Sequence, residues 1–493
     1  MIGGPVRFLI RILFLLSASA LFAQQYDLVI ESGRVLDPET GLDAVRNLGI
    51  SGGKITRVSA DPLHGKRVIS ASGLVVAPGF IDLHQHGQEI ESQRVKALDG
   101  VTTALEMEIG VPDVAQFLKI KEGHSLINYG TTASHAAARA LVFGAPLAPV
   151  AMGVRAGIPE ILPKSGPATN LPATPEQIQR IQQRLREELD AGGLGVGMGI
   201  QYTPGATRLE IIDMFRVAAE RHLPVYTHVR SAGRVEPGSA IEAISEVIAA
   251  AAISGAPLHI VHINSSCLRD SLECLSLIEG ARARGLDITT EAYPYIAGMT
   301  GINSALFNPG WREQLGISYG DLVLPETGEH LTKERFEELH SSTTQHSVLV
   351  FANTQEVVDA IIPHPLVMIA SDGAVGHPRN AGTFSRVLAQ YVREKKTLTL
   401  MEAVRKMTLM PAQMLERSTP AGRQKGRLQE GADADIVVFD AQTITDRSTF
   451  QSPMEPSVGV RYLVVGGTVV IDQGKLVPDV YPGRALLPRG QGE

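Results

Sequence analysis

The chain has 493 residues, a formal net charge of −7, 44% hydrophobic residues and 20% charged residues. That composition excludes a disordered chain, and the length exceeds one ordinary core, so a large enzyme-like domain plus a smaller one is expected. No basic block is present, so nucleic acid is not an expected partner.

Residues 1–23 read as an export signal. Arg7 and Arg11 precede the apolar run Ile12 to Ala23, which closes on small residues before Gln24. The run is short for a membrane span. The expected product is therefore periplasmic or secreted and meets a membrane only through this signal. The alternative is an uncleaved N-terminal anchor.

Residues 24–77 contain "YDLVIESGRVLDPETG" and "NLGISGGKITRVS", short apolar runs broken by Gly, Pro and Asp. These read as strands joined by tight turns. Residues 413–493 repeat the pattern in "GADADIVVFDAQTI" and "VRYLVVGGTVVIDQGKLV". The two ends are expected to pair into one small β-sandwich.

The middle, 78–412, alternates apolar strands with amphipathic helices. A mostly apolar run from Val75 to Leu83 comes first. Further strands are expected at Val101–Glu108, Gly130–His135, Gly195–Gly199, Pro224–His228, Leu258–His262, Asp287–Ala292 and Leu366–Asp372. Helices are expected at Pro175–Ala191, with Thr174 as cap and Gly192 as stop, and at Arg208–Arg221. Eight strands alternating with helices predict an α/β fold, a (β/α)₈ TIM-like barrel with its site at the C-terminal strand ends. Residues of about 296–365 fit this alternation less well and read as an insertion over the site, holding the only tryptophan, Trp311. Cys267 and Cys274 are expected on one helix, about 10 Å apart along its axis, too far for a bridge.

The stretch Ala77 to His86 reads A-P-G-F-I-D-L-H-Q-H. On a strand His84 and His86 point to one side, making half of a metal site. The alternative is a pair of hydrogen-bonded core histidines. Later strands decide between these readings. They end in His228, His262 and Asp372, while His259, at opposite parity to His262, is expected to face away. Nitrogen and oxygen donors of this kind suit Zn²⁺, one ion or two, with Mn²⁺, Fe²⁺, Co²⁺ and Ni²⁺ as alternatives.

The motif P-G-F-I-D-x-H-x-H, the later single histidines and the strand-end aspartate resemble the amidohydrolase superfamily. Within it, "GVTTALEMEIG", "GIQYTPGA", "YTHVRSAG", "EAYPYIAG" and "SDGAVGHPRNAGTFSRVLAQYV" resemble the D-aminoacylase (N-acyl-D-amino-acid deacylase) family. The stretch around His84 to Gly110 is similar to D-glutamate deacylases. The resemblance implies a metal-dependent hydrolase cleaving the amide of a small N-acyl-D-amino acid, with His84, His86, His228, His262 and Asp372 at metal and catalytic positions.

One position departs from the family. Its members carry a cysteine ligand within N-C-G, where this chain has Glu106-Met107-Glu108-Ile109-Gly110. Glu106 and Glu108 share a strand face. Carboxylate oxygen also binds Zn²⁺, and Glu108, nearer the strand end, is preferred as the replacement ligand, with Glu106 the alternative; the other reading is that neither binds metal and Glu106 pairs with a core cation. No lysine at an expected strand end offers an obvious carbamate bridge; Lys119 and Lys121 are left as alternatives.

The expected mechanism is attack of metal-activated water on the amide carbonyl, with Asp372 taking the proton and passing it to the leaving amine. Tyr202, Tyr293 and Tyr295 lie in expected βα loops as binding candidates. Arg230 and Arg379 are candidates for the substrate's α-carboxylate. Asn264 stands where relatives offer a basic residue. Two other readings are a hydantoinase or isoaspartyl-dipeptidase type hydrolase, disfavoured by "HPRNAGTFSRVL", and a non-catalytic exported binding protein, disfavoured by the complete ligand set.

Overall fold

Gly79 divides what the sequence presents as one strand. In the computed structural model, Val75–Pro78 belongs to a sheet built from the chain ends, and Phe80–Asp82 begins the barrel. A Cβ at Gly79 would collide with Thr102, so the chain passes there only without a side chain. The structure describes residues 25–145 and 165–490, with Met1, Leu147, Ile161 and Leu162. Apart from Met1, the export-signal reading lies outside the described residues.

Eight parallel strands follow one another around the barrel in chain order. They are Phe80–Asp82, Val101–Val111, Asn128–Ser134, Val196–Gly199, Val225–His228, Leu258–Ile260, Ile288–Ala292 and Val367–Ile369. They are almost entirely buried, which explains their apolar composition. Covering helices start at sequence-encoded caps. Thr174 and Gln177 form a capping box on Pro175–Asp190, Thr207 caps Arg208–Glu220, and Ser239 caps Ala240–Ser254.

The first and last strands close the ring largely through residues beyond their ends. Asp82 Oδ1 accepts from Ser371 N at 2.9 Å, and Asp82 Oδ2 accepts from Ser371 Oγ at 2.6 Å and from Lys96 Nζ at 2.7 Å. His86 N donates to Gly373 O at 2.9 Å. These bonds fix the chain carrying His84 and His86 against the chain carrying Asp372.

The terminal sheet places Val75–Pro78 between Gln25–Asp37 and Ile436–Phe439. Its nine strands run as one hydrogen-bonded sheet, over a core that joins Leu28, Ile30 and Val35 to Ile436, Val438 and Val464. Not all of 413–493 belongs to it. The helix Leu409–Leu415 and the returning Leu486 pack against Ile81, Leu105 and Tyr226 of the barrel.

A separate three-stranded sheet, Gly298–Gly301, Ser347–Val350 and Leu322–Val323, carries its own apolar cluster around Trp311, Phe307 and Phe336. The helix after it, Gln355–Ile361, packs into the main core through Val358 and Ile361. The inserted unit therefore closes near Val350, not near 365.

The expectation for the cysteines is overturned: Cys267 and Cys274 form a disulfide, with Cα atoms 6.6 Å apart. They do not share a helix. Ile263–Cys267 ends at Leu268, the chain makes a 3₁₀ turn, and a new helix runs Ser271–Arg282. Folding back there brings the two within bridging range.

Candidate active site

Four side chains converge at the strand ends. His84 Nε2 lies 3.2 Å from His86 Nε2, 3.2 Å from Glu108 Oε2 and 3.4 Å from Asp372 Oδ1. His86 Nε2 lies 3.2 Å from both Glu108 Oε2 and Asp372 Oδ1. The edge of a tetrahedron around Zn²⁺ with bonds of 2.0–2.1 Å is about 3.3 Å. Five of the six edges here fall at that length.

The opposite ring nitrogens show why a cation fits. His84 Nδ1 sits 2.7 Å from Glu291 Oε1, and His86 Nδ1 sits 2.6 Å from Glu106 Oε2. A carboxylate on each Nδ1 holds the proton there, leaving both Nε2 atoms as acceptors. Two imidazole acceptors and two carboxylate oxygens then face one point, an arrangement that repels itself unless a cation fills it. The titration behaviour says the same. Burial pushes His84 down, but Asp372 and Glu108 prevail and raise it to about 10.

A second group shares Glu108. Its Oε1 lies 2.8 Å from His228 Nδ1 and 3.0 Å from His262 Nε2. Gln201 Oε1 accepts from His228 Nε2 at 2.6 Å, which leaves Nδ1 as the free lone pair. His262 Nδ1 rests 3.2 Å from Ser266 Oγ. The three donors His228, His262 and Glu108 can hold a second ion and leave it an open position. Burial lowers His228, consistent with a neutral ligand.

Local backbone geometry aims these groups. The second barrel strand slips its register between Glu106 and Val111, and Gly110 there has φ +69°. A Cβ at Gly110 would collide with Thr132, and Glu106 Oε1 accepts from Ile109 N at 3.1 Å. This bulge carries Glu108 between the two groups while Glu106 stays beneath His86. His262 and Asp372 both have positive φ, +28° and +51°. Such backbone strain is typical of functional positions.

Sequence reasoning misses three groups here. Glu291 and Gln201 stand inside the family-like stretches "EAYPYIAG" and "GIQYTPGA", but neither is singled out there as a site residue. His259 is expected to face away, yet its Nε2 lies 3.0 Å from Glu291 Oε2 and its Nδ1 lies 2.8 Å from Thr289 Oγ1. Strand parity fails because the sixth strand ends at Ile260, and His262 lies beyond it in a left-handed conformation. Lys121 is buried, donates to Gln88 O and stays out of both groups.

A cleft of about 200 Å³ opens onto Glu108, His228, His262 and Asp372, and is lined also by Tyr202 and Tyr293. The Tyr202 ring packs on His228 at 4.9 Å. Tyr295 is instead buried under Arg386, its hydroxyl 3.5 Å from Pro378 O. The two arginines stand elsewhere than expected. Arg230 pairs with Glu246 at 2.7 and 2.8 Å and bonds the carbonyls of Pro204 and Ala206. Arg379, 1% exposed, holds Asp372 Oδ2 at 2.8 Å and lies over the Tyr293 ring at 4.6 Å. Neither lines the cleft.

A parallel eight-stranded barrel with histidines and carboxylates gathered at its strand ends is the build of a metal-dependent hydrolase. The chain belongs to the amidohydrolase family, whose model matches residues 67–360 and 264–471. It is 31% identical to the N-acyl-D-glutamate deacylase of Alcaligenes xylosoxydans xylosoxydans, over 94% of this chain and 97% of that one. It is 30% identical to the D-aminoacylase of the same organism, over 91% and 95%. The crystal structure of N-acyl-D-glutamate deacylase from Bordetella bronchiseptica, complexed with zinc and a phosphonate mimic of the tetrahedral intermediate, superposes with a TM-score of 0.77. It has 27% identity and covers 94% of this chain and 100% of that one.

Proposed function

We propose that the protein is a zinc-dependent deacylase of N-acyl-D-amino acids, hydrolysing the linear amide to a carboxylate and a free D-amino acid. The observation that carries this reading is the near-tetrahedral set of acceptors on His84, His86, Glu108 and Asp372, open to a cleft, in a chain of this family. His84, His86, Glu108 and Asp372 would hold one ion, and Glu108, His228 and His262 a second. Zinc bound there supplies Lewis acidity, polarising a carbonyl oxygen and acidifying water.

The chain's own groups do the rest. Asp372 is the base: it takes a proton from the attacking water and delivers it to the leaving amine nitrogen. Burial opposes its ionisation, but Arg379 and His84 hold it well below the usual carboxylate range, so it is ready to accept at neutral pH. Tyr293 is pushed up to about 12 by burial. It therefore stays protonated and can donate to the oxygen that gains charge. Tyr202, raised by burial, also lines the cleft and stays protonated.

The test is to load purified protein with zinc, measure metal content, and assay N-acetyl-D- and N-acetyl-L-amino acids. Metal-dependent release of D-amino acids, with L-isomers slower, is expected. Equal rates would overturn the chirality, and metal-free protein of equal activity would overturn the mechanism.

We place the protein outside the cytoplasm. Support comes from the Arg7, Arg11 and Ile12-to-Ala23 pattern and from the disulfide, which suits an oxidising compartment. Mature protein beginning near Gln24 in an extracellular or periplasmic fraction is expected.

A further inference from the structure

We propose that the substrate's side chain is uncharged and apolar, and that Leu268 sets this preference. The proposal rests on the deacylase reading above. Ala232, Leu268, Leu306, Leu315 and Val350 line the cleft. The same residues pack with Phe307 and Trp311 in the apolar cluster of the inserted unit. The wall is thus the face of a packed core, with a shape fixed from behind.

Charge points the same way. The acidic groups on the cleft are Glu89, Glu108 and Asp372, and among the described residues no lysine or arginine lines it. The nearby guanidinium groups lie against the protein's own carboxylates, Arg230 against Glu246 and Arg379 against Asp372, and neither lines the cleft. Asn264 follows His262 closely but is fully buried, its amide donating to Tyr293 O at 3.1 Å. A glutamate or aspartate side chain seated on this wall would lose water and gain no cation, which strongly disfavours it. An apolar side chain would extend the core it meets.

Leu268 is singled out by its backbone. It has φ +50° and ψ −123°, a conformation suited to glycine. The strain is held on both sides: Cys267 is bridged to Cys274, and Ser271 Oγ donates to Leu268 O at 2.6 Å. Leucine is strained where glycine would not be, and its side chain is 5% exposed and lines the cleft.

The experiment compares kcat/KM of the zinc-loaded enzyme for N-acetyl-D-leucine, N-acetyl-D-methionine, N-acetyl-D-alanine, N-acetyl-D-glutamate and N-acetyl-D-aspartate. Leucine and methionine should exceed glutamate and aspartate on the order of 100-fold or more. Glutamate at or above leucine overturns the proposal while leaving the deacylase reading intact. Hydrolysis of none of the five overturns both. Leu268→Gly removes the side chain in a backbone conformation that glycine accepts. It should reduce the leucine-over-alanine ratio about 10-fold. An unchanged ratio overturns the assignment to Leu268. Leu268→Lys should raise glutamate relative to leucine, and the glycine variant decides the matter if the lysine variant does not fold.

Discussion

Glu108 offers one oxygen to each group of donors, so its loss should empty both. Glu108→Gln is expected to lower zinc content toward zero, read by metal analysis after dialysis. Glu106→Gln and Glu291→Gln remove only the carboxylates that hold the Nδ1 protons of His86 and His84. Each should weaken zinc binding by about 10–100-fold. A Glu106 variant that lost more metal than the Glu108 variant would exchange their roles. Asp372→Asn should keep some metal through the remaining donors and cut kcat by about 10²–10⁴-fold. At this scale the sequence is informative where a residue ends a strand or follows it closely, as His228 does the one and His84 and His86, just past Asp82, do the other. It is silent on Glu291, Gln201 and the orientation of His259, because these depend on which neighbours a barrel brings together. Arg230 and Arg379 illustrate the same limit: an arginine near a site is as readily claimed by a buried carboxylate of the protein as by a substrate's.

Among the elements, the short turn between Ile263–Cys267 and Ser271–Arg282 diverges most from expectation. Nothing in S-S-C-L-R-D-S announces a break: it holds no glycine and no proline. The break falls at Leu268, whose positive φ ends the first helix and is held by the Cys267–Cys274 bridge and the Ser271 Oγ bond to Leu268 O. Closing so small a loop restricts the unfolded chain modestly, so Cys274→Ser should cost about 2–3 kcal/mol. Denaturant melts under non-reducing conditions would show it, and a reductant should lower the wild type to the same level. Strands are more legible. Each barrel strand is a short apolar run between turn residues, and its burial on both faces makes the run continuous. The exception is the run from Val75 to Leu83, where an apolar stretch serves two sheets and only Gly79 marks the junction.

Across the molecule, Asp99 joins distant parts. At the end of the helix Ile90–Leu98 it accepts from Phe384 N and Ser385 N at 2.9 Å, and from Ser457 Oγ at 2.8 Å. Burial outweighs these donors and Lys96, raising it from 3.8 to about 6. Between about pH 4 and pH 6 the folded protein therefore keeps a proton that the unfolded chain has released. Stability should fall as pH rises through that window, by on the order of 2–3 kcal/mol for this group. Urea titrations of wild type and Asp99→Asn at constant zinc should differ in pH slope there. Equal slopes would assign the proton elsewhere.

The terminal sheet also sets an order in time. Val75–Pro78 has one neighbour early in the chain, Gln25–Asp37, and another, Ile436–Phe439, that a ribosome makes only after every barrel strand. A growing chain must carry one bare strand edge through nearly all of its synthesis, and such edges invite pairing with other chains. Nascent chains halted before Ile436 should therefore aggregate even with all eight barrel strands made, whereas extension through Val465 supplies both Ile436–Phe439 and its outer partner, Val460–Val465.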